Sequence, residues 1–151
     1  MDDCPEVVRL ADLTYRELGF PQAGGAWTTA ALAKLGRRLG QDANAFVIPE
    51  PGRPGRLASC AAVSLNQRLP SPANPTGMVA YVQWVGTVAH CRRRGFARAT
   101  MRALIEWCGE VGVGRVELHA APLAAGLYRE LGFTAASNPC MRLHLPLVRS
   151  P

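Results

Sequence analysis

Apolar residues along the chain recur at two spacings, one typical of helices and one typical of strands. Leu32, Leu35 and Leu39 repeat every three or four residues, which predicts a helix that a threonine at position 28 or 29 can cap. A long apolar run rich in valine and aromatics predicts a strand that is buried on both faces. Helices are predicted over residues 12–18, 28–39, 95–108 and 122–131, and strands over residues 7–10, 45–48, 57–65, 78–88, 116–119, 133–136 and 141–145.

This order of elements predicts a mixed α/β fold. The first half contains an antiparallel hairpin around a proline- and glycine-rich loop at residues 49–55, and the second half alternates strands with helices. Residues 70–77 carry three prolines, but both flanks are strand-like, so this segment is a loop within one sheet and not a domain linker. A chain of 151 residues that is 48% hydrophobic suits one domain over residues 1–151.

The chain has few charged residues, and basic residues outnumber acidic ones. Charged residues make up 19% of the chain, and the formal net charge is +6. Lys34 is the only lysine, so nearly all of the positive charge is arginine, and the joint excess of arginine, alanine, glycine and proline is typical of a GC-rich bacterial genome. A basic balance favours an anionic partner, either a phosphate-bearing cofactor or a nucleic acid.

Nothing in the sequence predicts export, membrane insertion or metal binding. Residues 1–6 lack the basic and apolar regions of a secretory signal, and no run approaches the roughly 18 apolar residues of a membrane span. The five cysteines are odd in number and lack the paired spacing of zinc or redox motifs. We therefore expect a cytoplasmic protein with reduced thiols, no membrane partner and no metal.

The junction between the strand ending at Val88 and the helix beginning near Gly95 is the most informative segment. The first turn of a helix leaves backbone N–H groups unpaired, and the helix dipole adds roughly half a positive charge there. Together these groups form a seat for an anion such as a diphosphate. Gly95 and Ala97 keep side chains from blocking the backbone. Fixed charge around the seat comes from Arg92, Arg93, Arg94 and Arg98.

Two motifs in this half of the chain resemble signatures of the GNAT superfamily of N-acetyltransferases. Arg92-x-x-Gly95-x-Ala97, between a strand and a helix, is similar to the acetyl-CoA signature of the family. Residues 127–133 read Leu-Tyr-x-x-x-Gly-Phe, a second signature at about the family's spacing. The resemblance is sharp from about residue 78 onward and rests on pattern alone before that. It implies a mixed, mostly antiparallel central sheet with splayed central strands, flanked by about four helices.

The resemblance also implies an activity. An acetyl group would pass from acetyl-CoA to a primary amine of a small molecule or peptide by direct attack of the amine. Tyr128 would act as the general acid, because a phenol of pKa about 10 can share a proton with a thiolate whose acid has a pKa of about 8.5. The main chain of Val85, Gly86, Thr87 and Val88 would bind the pantetheine arm. The diphosphate would be held by Arg92, Arg93, Arg94, Gly95, Phe96, Ala97 and Arg98.

The sequence does not name the residue that removes the proton from the amine. Many members of the family place a glutamate on the strand before the phosphate loop, but residues 78–85 contain no carboxylate. His119, at the end of the next strand, is the best substitute by location and is the second candidate catalytic residue. The family's frequent asparagine before the last helix is also missing, since residues 120–122 read Ala-Ala-Pro. Other candidates for the base are Glu117, His90, and a water chain ordered by Gln83 or Tyr81.

Alternative functions remain compatible with the residues. Six arginines between positions 92 and 115 suit a nucleic-acid-binding module, although aromatic residues are not interleaved with them as stacking surfaces. A domain that binds acyl-CoA without catalysis is the other alternative. Within an enzyme, Cys91 beside His90 and three arginines allows a covalent acetyl-cysteine route, but no further histidine–acid pair is identifiable to support it. We favour direct acetyl transfer over all of these, and do not expect nucleic acid as a partner.

The acceptor amine stays open at this level. In the family, the first two helices help to wall the acceptor site, so acidic residues there favour a cationic amine unless they are ordinary solvated surface. Dimers are frequent among such enzymes, and a homodimer is compatible with the sequence. The acidic residues in question are Asp2, Asp3, Glu6, Asp12 and Glu17.

Overall fold

Four strands form one mixed sheet in the computed structural model, which describes residues 2–146. The predicted domain of residues 1–151 has ends that lie outside these described residues. Adjacent pairs among β1, β2 and β3 are antiparallel, whereas β3 and β4 are parallel, which confirms the expected mostly antiparallel sheet. In sheet order the strands are β1 (Ala43–Pro49), β2 (Leu57–Gln67), β3 (Met78–Thr87) and β4 (Val116–Glu117).

Helices cover both faces of this sheet. α1 (Cys4–Glu17) and α2 (Trp27–Arg38) pack on one face, and α3 (Phe96–Glu110) and α4 (Ala125–Glu130) pack on the other. α3 is also the crossover that the parallel pair β3–β4 requires. Four α-helices within residues 2–146 agree with the expected number, and none of them is both long and apolar enough to cross a membrane.

The start of the chain is helical, so the predicted strand over residues 7–10 is wrong. Val7, Val8 and Ala11 lie on the buried side of α1 at helical spacing, and Pro5 occupies its first turn. A run of four mostly apolar residues fits a strand as well as a helix. The buried stripe is recognisable only when the residues before and after the run are included.

The end of the described chain is not part of the sheet, so the strands predicted over residues 133–136 and 141–145 are also wrong. Met141, Leu143 and Leu145 alternate as in a strand, but their side chains are 92%, 84% and 73% exposed. Alternating apolar and polar residues give a strand one apolar and one polar face, but the strand forms only when its backbone hydrogen-bonds to a neighbouring strand. β4, at the edge of the sheet, is only two residues long and offers little backbone to pair with.

The remaining elements lie close to their predicted positions, with three differences in detail. Neither threonine caps α2, and the hydroxyl of Thr28 instead donates to the carbonyl of Gly25 at 3.1 Å. Pro122 opens a short 3-10 turn, and the last helix begins only at Ala125. β4 ends at Glu117, two residues before the predicted end of that strand.

β3 and the edge strand β4 are joined at one end only. β3 pairs with β4 at Ala80–Val116 and Tyr81–Glu117. Beyond Tyr81, β3 continues for six residues while β4 stops, so the strands separate and leave one edge of β3 open. We call this opening the interstrand gap. The expected splay of two strands is thus present, but in the described residues it lies between β3 and the edge strand β4.

A bulge in β3 lies beside the interstrand gap. The pairing of β2 with β3 shifts between Cys60 and Ala62, and Trp84 in the bulge has a left-handed φ of 56°. An extra residue on one strand bends it and increases its local twist. The bulge therefore turns the second half of β3 relative to the first half, at the level where β4 has ended.

Candidate active site

The loop between β3 and α3 presents a row of unpaired backbone donors. The N–H groups of residues 93–98 donate to no other backbone group within residues 2–146. Gly95 has a φ of 77° and Arg93 a φ of 62°. Left-handed residues in a turn aim neighbouring N–H groups to one side and create a concavity for an anion. The N-terminus of α3 adds its positive dipole end at the same place.

Glycine is needed at position 95 because of the backbone conformation there, and not because a side chain would clash with the rest of the protein. Apart from Gly95 itself and its two neighbours in the chain, no protein atom lies within 4 Å of the position that a Cβ atom would occupy at this residue. The space in front of the loop is therefore open to a ligand. Arg93 holds a left-handed conformation with a full side chain, which costs about 1–3 kcal/mol and is typical of functional loops.

Arg92 connects the loop to α1. Its Nε donates to the carbonyl oxygen of Thr87 at 3.1 Å, and its terminal nitrogen pairs with the carboxylate of Glu17. One side chain thus joins the end of β3, the loop and the helix on the opposite side of the strand. This exposed ion pair partly neutralises the guanidinium of Arg92.

The other predicted arginines differ in how far they are neutralised. Arg98 pairs with Glu130 of α4. Arg93 and Arg94 have no carboxylate within salt-bridge distance in the part of the chain that the structure describes. The guanidinium of Arg94 lies 4.9 Å from the ring centre of Phe96. Free positive charge therefore concentrates at the middle of the loop.

The four residues predicted to face the pantetheine arm follow the open edge of β3. Gly86 is the most constrained, since a Cβ atom there would lie 2.5 Å from Oγ1 of Thr14 and 3.3 Å from the carbonyl oxygen of Leu10. Glycine at this position allows α1 to pass directly against the strand. The four are Val85, Gly86, Thr87 and Val88.

Tyr128 lies on the α3 side of the sheet. Its side chain is 7% exposed, and its ring centre is 5.9 Å from that of Phe133. The second sequence signature explains this packing, because the N–H of Phe133 donates to the carbonyl of Tyr128 at 2.9 Å and Gly132 takes the left-handed turn between them. Burial raises the pKa of Tyr128 above its ordinary value of 10, so the phenol keeps its proton at neutral pH.

Tyr81 and His119 meet at the closed end of the interstrand gap. The phenol oxygen of Tyr81 lies 2.6 Å from Nδ1 of His119. Burial raises the pKa of Tyr81, with a smaller opposing effect of Arg142, so the phenol keeps its proton at neutral pH. In the His119 tautomer that leaves Nδ1 unprotonated, the phenol donates to Nδ1. Val82 belongs to the core with Tyr128, and side chains alternate along a strand, so Tyr81 and Tyr128 lie on opposite faces of the sheet.

Glu117, the other candidate base on this strand, is occupied. Its carboxylate lies 2.9 Å from a terminal nitrogen of Arg68 and 3.9 Å from Arg115. The regular strand that would have put Glu117 and His119 on one face ends at Glu117 itself. Of these two residues, only His119 contacts a side chain at the gap.

His90 and Cys91 lie beside a buried carboxylate that sequence reasoning missed. Nε2 of His90 is 2.6 Å from Oε1 of Glu50, and Arg53 approaches the same oxygen at 3.4 Å. Donor atoms of Glu50, His90 and Cys91 lie within 4.8 Å of one another, a spacing that a metal ion can bridge. The carboxylate is already paired with two basic groups, and Cys91 is 2% exposed, so the thiol is inaccessible to a thioester in solution.

The acidic residues of the first segment are mostly tied to arginines. Glu6 pairs with Arg9 at 2.7 Å and with Arg56 at 3.2 Å, while Glu17 pairs with Arg92. These contacts remove most of the free negative charge that would have favoured a cationic acceptor. Arg56 and Arg92 lie far away in sequence, so this neutralisation is not recognisable from the chain alone.

Asp12 organises the loop between α1 and α2. It accepts hydrogen bonds from Nε of Arg16 at 2.7 Å, from the N–H of Gly24 at 2.5 Å and from the indole N–H of Trp27 at 3.2 Å. Burial alone would raise the pKa of this carboxyl, but the hydrogen bonds and the positive charge of Arg16 outweigh it and lower the pKa. Asp12 therefore fixes the position of the Trp27 ring at the start of α2.

The fold and the site together define a class of protein. An open gap between two parallel strands leads to a glycine-bearing helix start with free backbone donors, which is the arrangement of an α/β protein that holds a phosphate-bearing ligand. The chain belongs to the Acetyltransferase (GNAT) family, whose family model matches residues 9–133. The resemblance drawn from the two sequence motifs is therefore confirmed, and membership supports acetyl transfer as the general activity.

Solved structures share this fold at low sequence identity. A predicted acetyltransferase with acetyl-CoA from Clostridium acetobutylicum matches with a TM-score of 0.83 at 17% identity, over 94% of this chain and 90% of that chain. A GCN5-related N-acetyltransferase from Ralstonia eutropha JMP134 matches with a TM-score of 0.78 at 19% identity, over 94% and 93%. Glucosamine-6-phosphate N-acetyltransferase from Arabidopsis thaliana matches with a TM-score of 0.70 at 16% identity, over 92% of each chain. No curated protein matches the chain.

Proposed function

We propose that this protein transfers an acetyl group from acetyl-CoA to a primary amine of a small molecule or peptide. The row of unpaired N–H groups at residues 93–98, at the open end of the interstrand gap, is the observation that carries the proposal. A diphosphate accepts several hydrogen bonds at once and is favoured by the helix dipole. The pantetheine arm then extends along the open edge of β3 at residues 85–88, where it replaces the missing part of β4.

Tyr128 is the general acid in this proposal. The amine nitrogen attacks the thioester carbonyl, the carbon–sulfur bond breaks, and the departing thiolate takes the phenol proton of Tyr128. A phenol that is still protonated at neutral pH and has no hydrogen-bond partner in the described part of the chain suits this step. Its place on the α3 side, across the sheet from Tyr81, separates the proton donor from the group that receives the amine proton.

The Tyr81–His119 pair takes up the amine proton. The phenol oxygen of Tyr81 receives a proton from the amine while its own proton passes to Nδ1 of His119, and the exposed imidazolium then releases one to water. The 2.6 Å contact supports this relay. The relay takes the place of the carboxylate that many members of the family carry on this strand. Tyr81 receives the amine proton in it, and His119 passes a proton on to water.

The charge arrangement supports this proposal over a nucleic-acid-binding module. Arg92 and Arg98 are paired with glutamates, which leaves fewer free cations for a phosphate backbone. A domain that binds acyl-CoA without catalysis would use the same N–H groups, so turnover is what separates it from an enzyme.

Two measurements test the proposal on the purified protein. Calorimetry should detect acetyl-CoA binding, and the melting temperature should rise with its concentration. A thiol-release assay across amine classes, peptides included, should then detect turnover. Absence of any binding heat and melting shift would refute the proposal, and binding without turnover of any amine would leave only the non-catalytic domain.

A further inference from the structure

A small pocket lies between α2 and the sheet, on the same face as Tyr81. We call it the α2 pocket; its volume of about 260 Å³ is slightly below the roughly 300–1,000 Å³ typical of ligand sites. It shares Gln83 and Trp84 with the part of β3 that borders the interstrand gap. Alanines and a leucine line part of it, and its aromatic, polar and basic lining residues are Trp27, Lys34, Arg38, Ser64, Gln83 and Trp84.

Two indole rings form one wall of the α2 pocket. The ring centres of Trp27 and Trp84 are 6.2 Å apart, and Tyr15 packs edge-on against Trp27 at 5.3 Å. Trp27 is held by its hydrogen bond to Asp12, and Trp84 is held by the bulge in β3. Rigid aromatic walls of this kind suit a flat or apolar ligand body.

The charged side chains on the α2 side of the pocket are all positive. Lys34 and Arg38 lie one helical turn apart on α2, and no acidic side chain lines the α2 pocket. Arg38 is partly neutralised, because Asp42 accepts from its Nε at 2.7 Å and from a terminal nitrogen at 3.0 Å. Lys34 has no carboxylate within salt-bridge distance among residues 2–146. The free ammonium group of Lys34 is thus available to an anion.

We infer that the acceptor is a small amine whose apolar or aromatic body packs against the wall formed by Trp27 and Trp84 and whose far end carries an anionic group bound by Lys34. The inference rests on the proposed function, since it takes the α2 pocket as the acceptor side of the same site. It reverses the preference for a cationic acceptor suggested by the acidic first segment, whose carboxylates are engaged elsewhere. The amine end then points toward Gln83 and Tyr81, next to the gap.

A matched pair of substrates measures the effect of the anionic group of the acceptor on turnover. 4-(Aminomethyl)benzoate and 4-(aminomethyl)benzamide have the same size and the same amine but differ in one negative charge. A hydrogen bond to a charged group corresponds to about a tenfold or larger preference, so kcat/KM should be about tenfold higher for the acid. Lys34→Gln should bring this acid-to-amide ratio close to one. Arg37→Gln removes a positive charge from the same helix outside the α2 pocket and should keep the ratio.

A binding measurement tests the inference without catalysis. 4-Methylbenzoate and 4-methylbenzamide have no amine, and their binding should change the fluorescence of Trp27 and Trp84. The benzoate should bind about tenfold more tightly, and Lys34→Gln should remove the difference.

Results that would overturn the inference can be distinguished from results that would refute the proposed function. Equal binding of benzoate and benzamide, or a preference that survives Lys34→Gln, would overturn the inference whether or not acetyl transfer occurs. Acetylation of the amide as fast as of the acid would also overturn it and leave the proposed function intact. Failure of acetyl-CoA itself to bind refutes the proposed function and, with it, the role of the α2 pocket as an acceptor site, whereas the benzoate titration still measures whether Lys34 binds an anion there.

Discussion

The phenol oxygen of Tyr81 lies 2.6 Å from Nδ1 of His119, and this contact spans the point where β3 and β4 separate. If the two residues form one relay, removing either member breaks it. Tyr81→Phe and His119→Gln should each lower kcat by about 10²-fold, and the double variant should lose no more than the worse single variant. Steady-state kinetics on the three variants measure this coupling.

Glu117→Gln is the control for that experiment. The residue neighbours the relay in sequence, but its carboxylate is bound by Arg68. Its replacement should leave kcat within about twofold of the wild type, because it makes no contact with the reacting groups. Multiplicative losses in the double variant, or a fall in kcat for the control equal to that of the relay variants, would rule the relay out.

Tyr128→Phe should separate cofactor binding from chemistry. The variant keeps the ring that packs against Phe133 and removes only the proton donor. We expect kcat to fall by about 10²-fold or more while the Kd for acetyl-CoA and the melting temperature change little. Steady-state kinetics with a saturating amine, together with calorimetry for acetyl-CoA, give both quantities. An unchanged kcat would mean that the thiolate takes its proton from elsewhere.

Gly95→Ala should weaken acetyl-CoA binding and destabilise the fold. Its φ of 77° is strained for a residue with a Cβ atom, at a cost of roughly 1 kcal/mol, and relief of this strain would turn the neighbouring N–H groups away from the ligand. Calorimetry should report at least a tenfold loss of affinity, and denaturant unfolding should report the loss of stability.

Gly109→Ala is its matched control in the same helix. Gly109 has an ordinary φ, and apart from its chain neighbours and the nearby backbone of α3 no protein atom lies within 4 Å of the place that an added methyl group would take, so alanine should raise stability by about 0.5–1 kcal/mol. Acetyl-CoA affinity should not change. Equal affinity in both glycine variants would argue against the loop as the diphosphate site.

Asp12→Asn should destabilise the protein in a pH-dependent manner. The carboxylate accepts three hydrogen bonds, one of them from a guanidinium, and its loss should cost about 2 kcal/mol in the free energy of unfolding at neutral pH. Because the folded-state pKa lies below 3.8, this stabilisation is present above that pH and is lost as the pH falls through the folded-state pKa.

Urea unfolding of both proteins between pH 7 and pH 3 measures this dependence. The gap in stability between wild type and Asp12→Asn should stay constant down to about pH 4 and narrow only below it. Asp42→Asn, which removes an exposed partner of Arg38, should change stability little at any pH. A gap that narrows already between pH 7 and pH 5 would contradict the lowered pKa.

Features set by neighbours in the chain could be predicted from the sequence. The unpaired donors before α3 follow from a glycine at a helix start, and the Tyr128–Phe133 packing follows from a glycine that closes a helix four residues after the tyrosine. The start of the first helix was missed because four residues with mixed polarity do not distinguish helix from strand. The predicted terminal strands failed because alternation alone does not supply a partner.

Contacts between distant residues depended on the tertiary structure. Tyr81 and His119 are 38 positions apart, His90 and Glu50 are 40 apart, and Arg92 and Glu17 are 75 apart. Which carboxylates are neutralised, which histidine lies beside a phenol and where Lys34 lines a pocket all depend on how the helices pack on the sheet. By itself the sequence determined the helix start that suits a diphosphate, because backbone donors and glycine conformation are local properties. Only the tertiary structure decided the partners of the charged side chains, because a charge pairs with whatever the fold brings within a few ångströms.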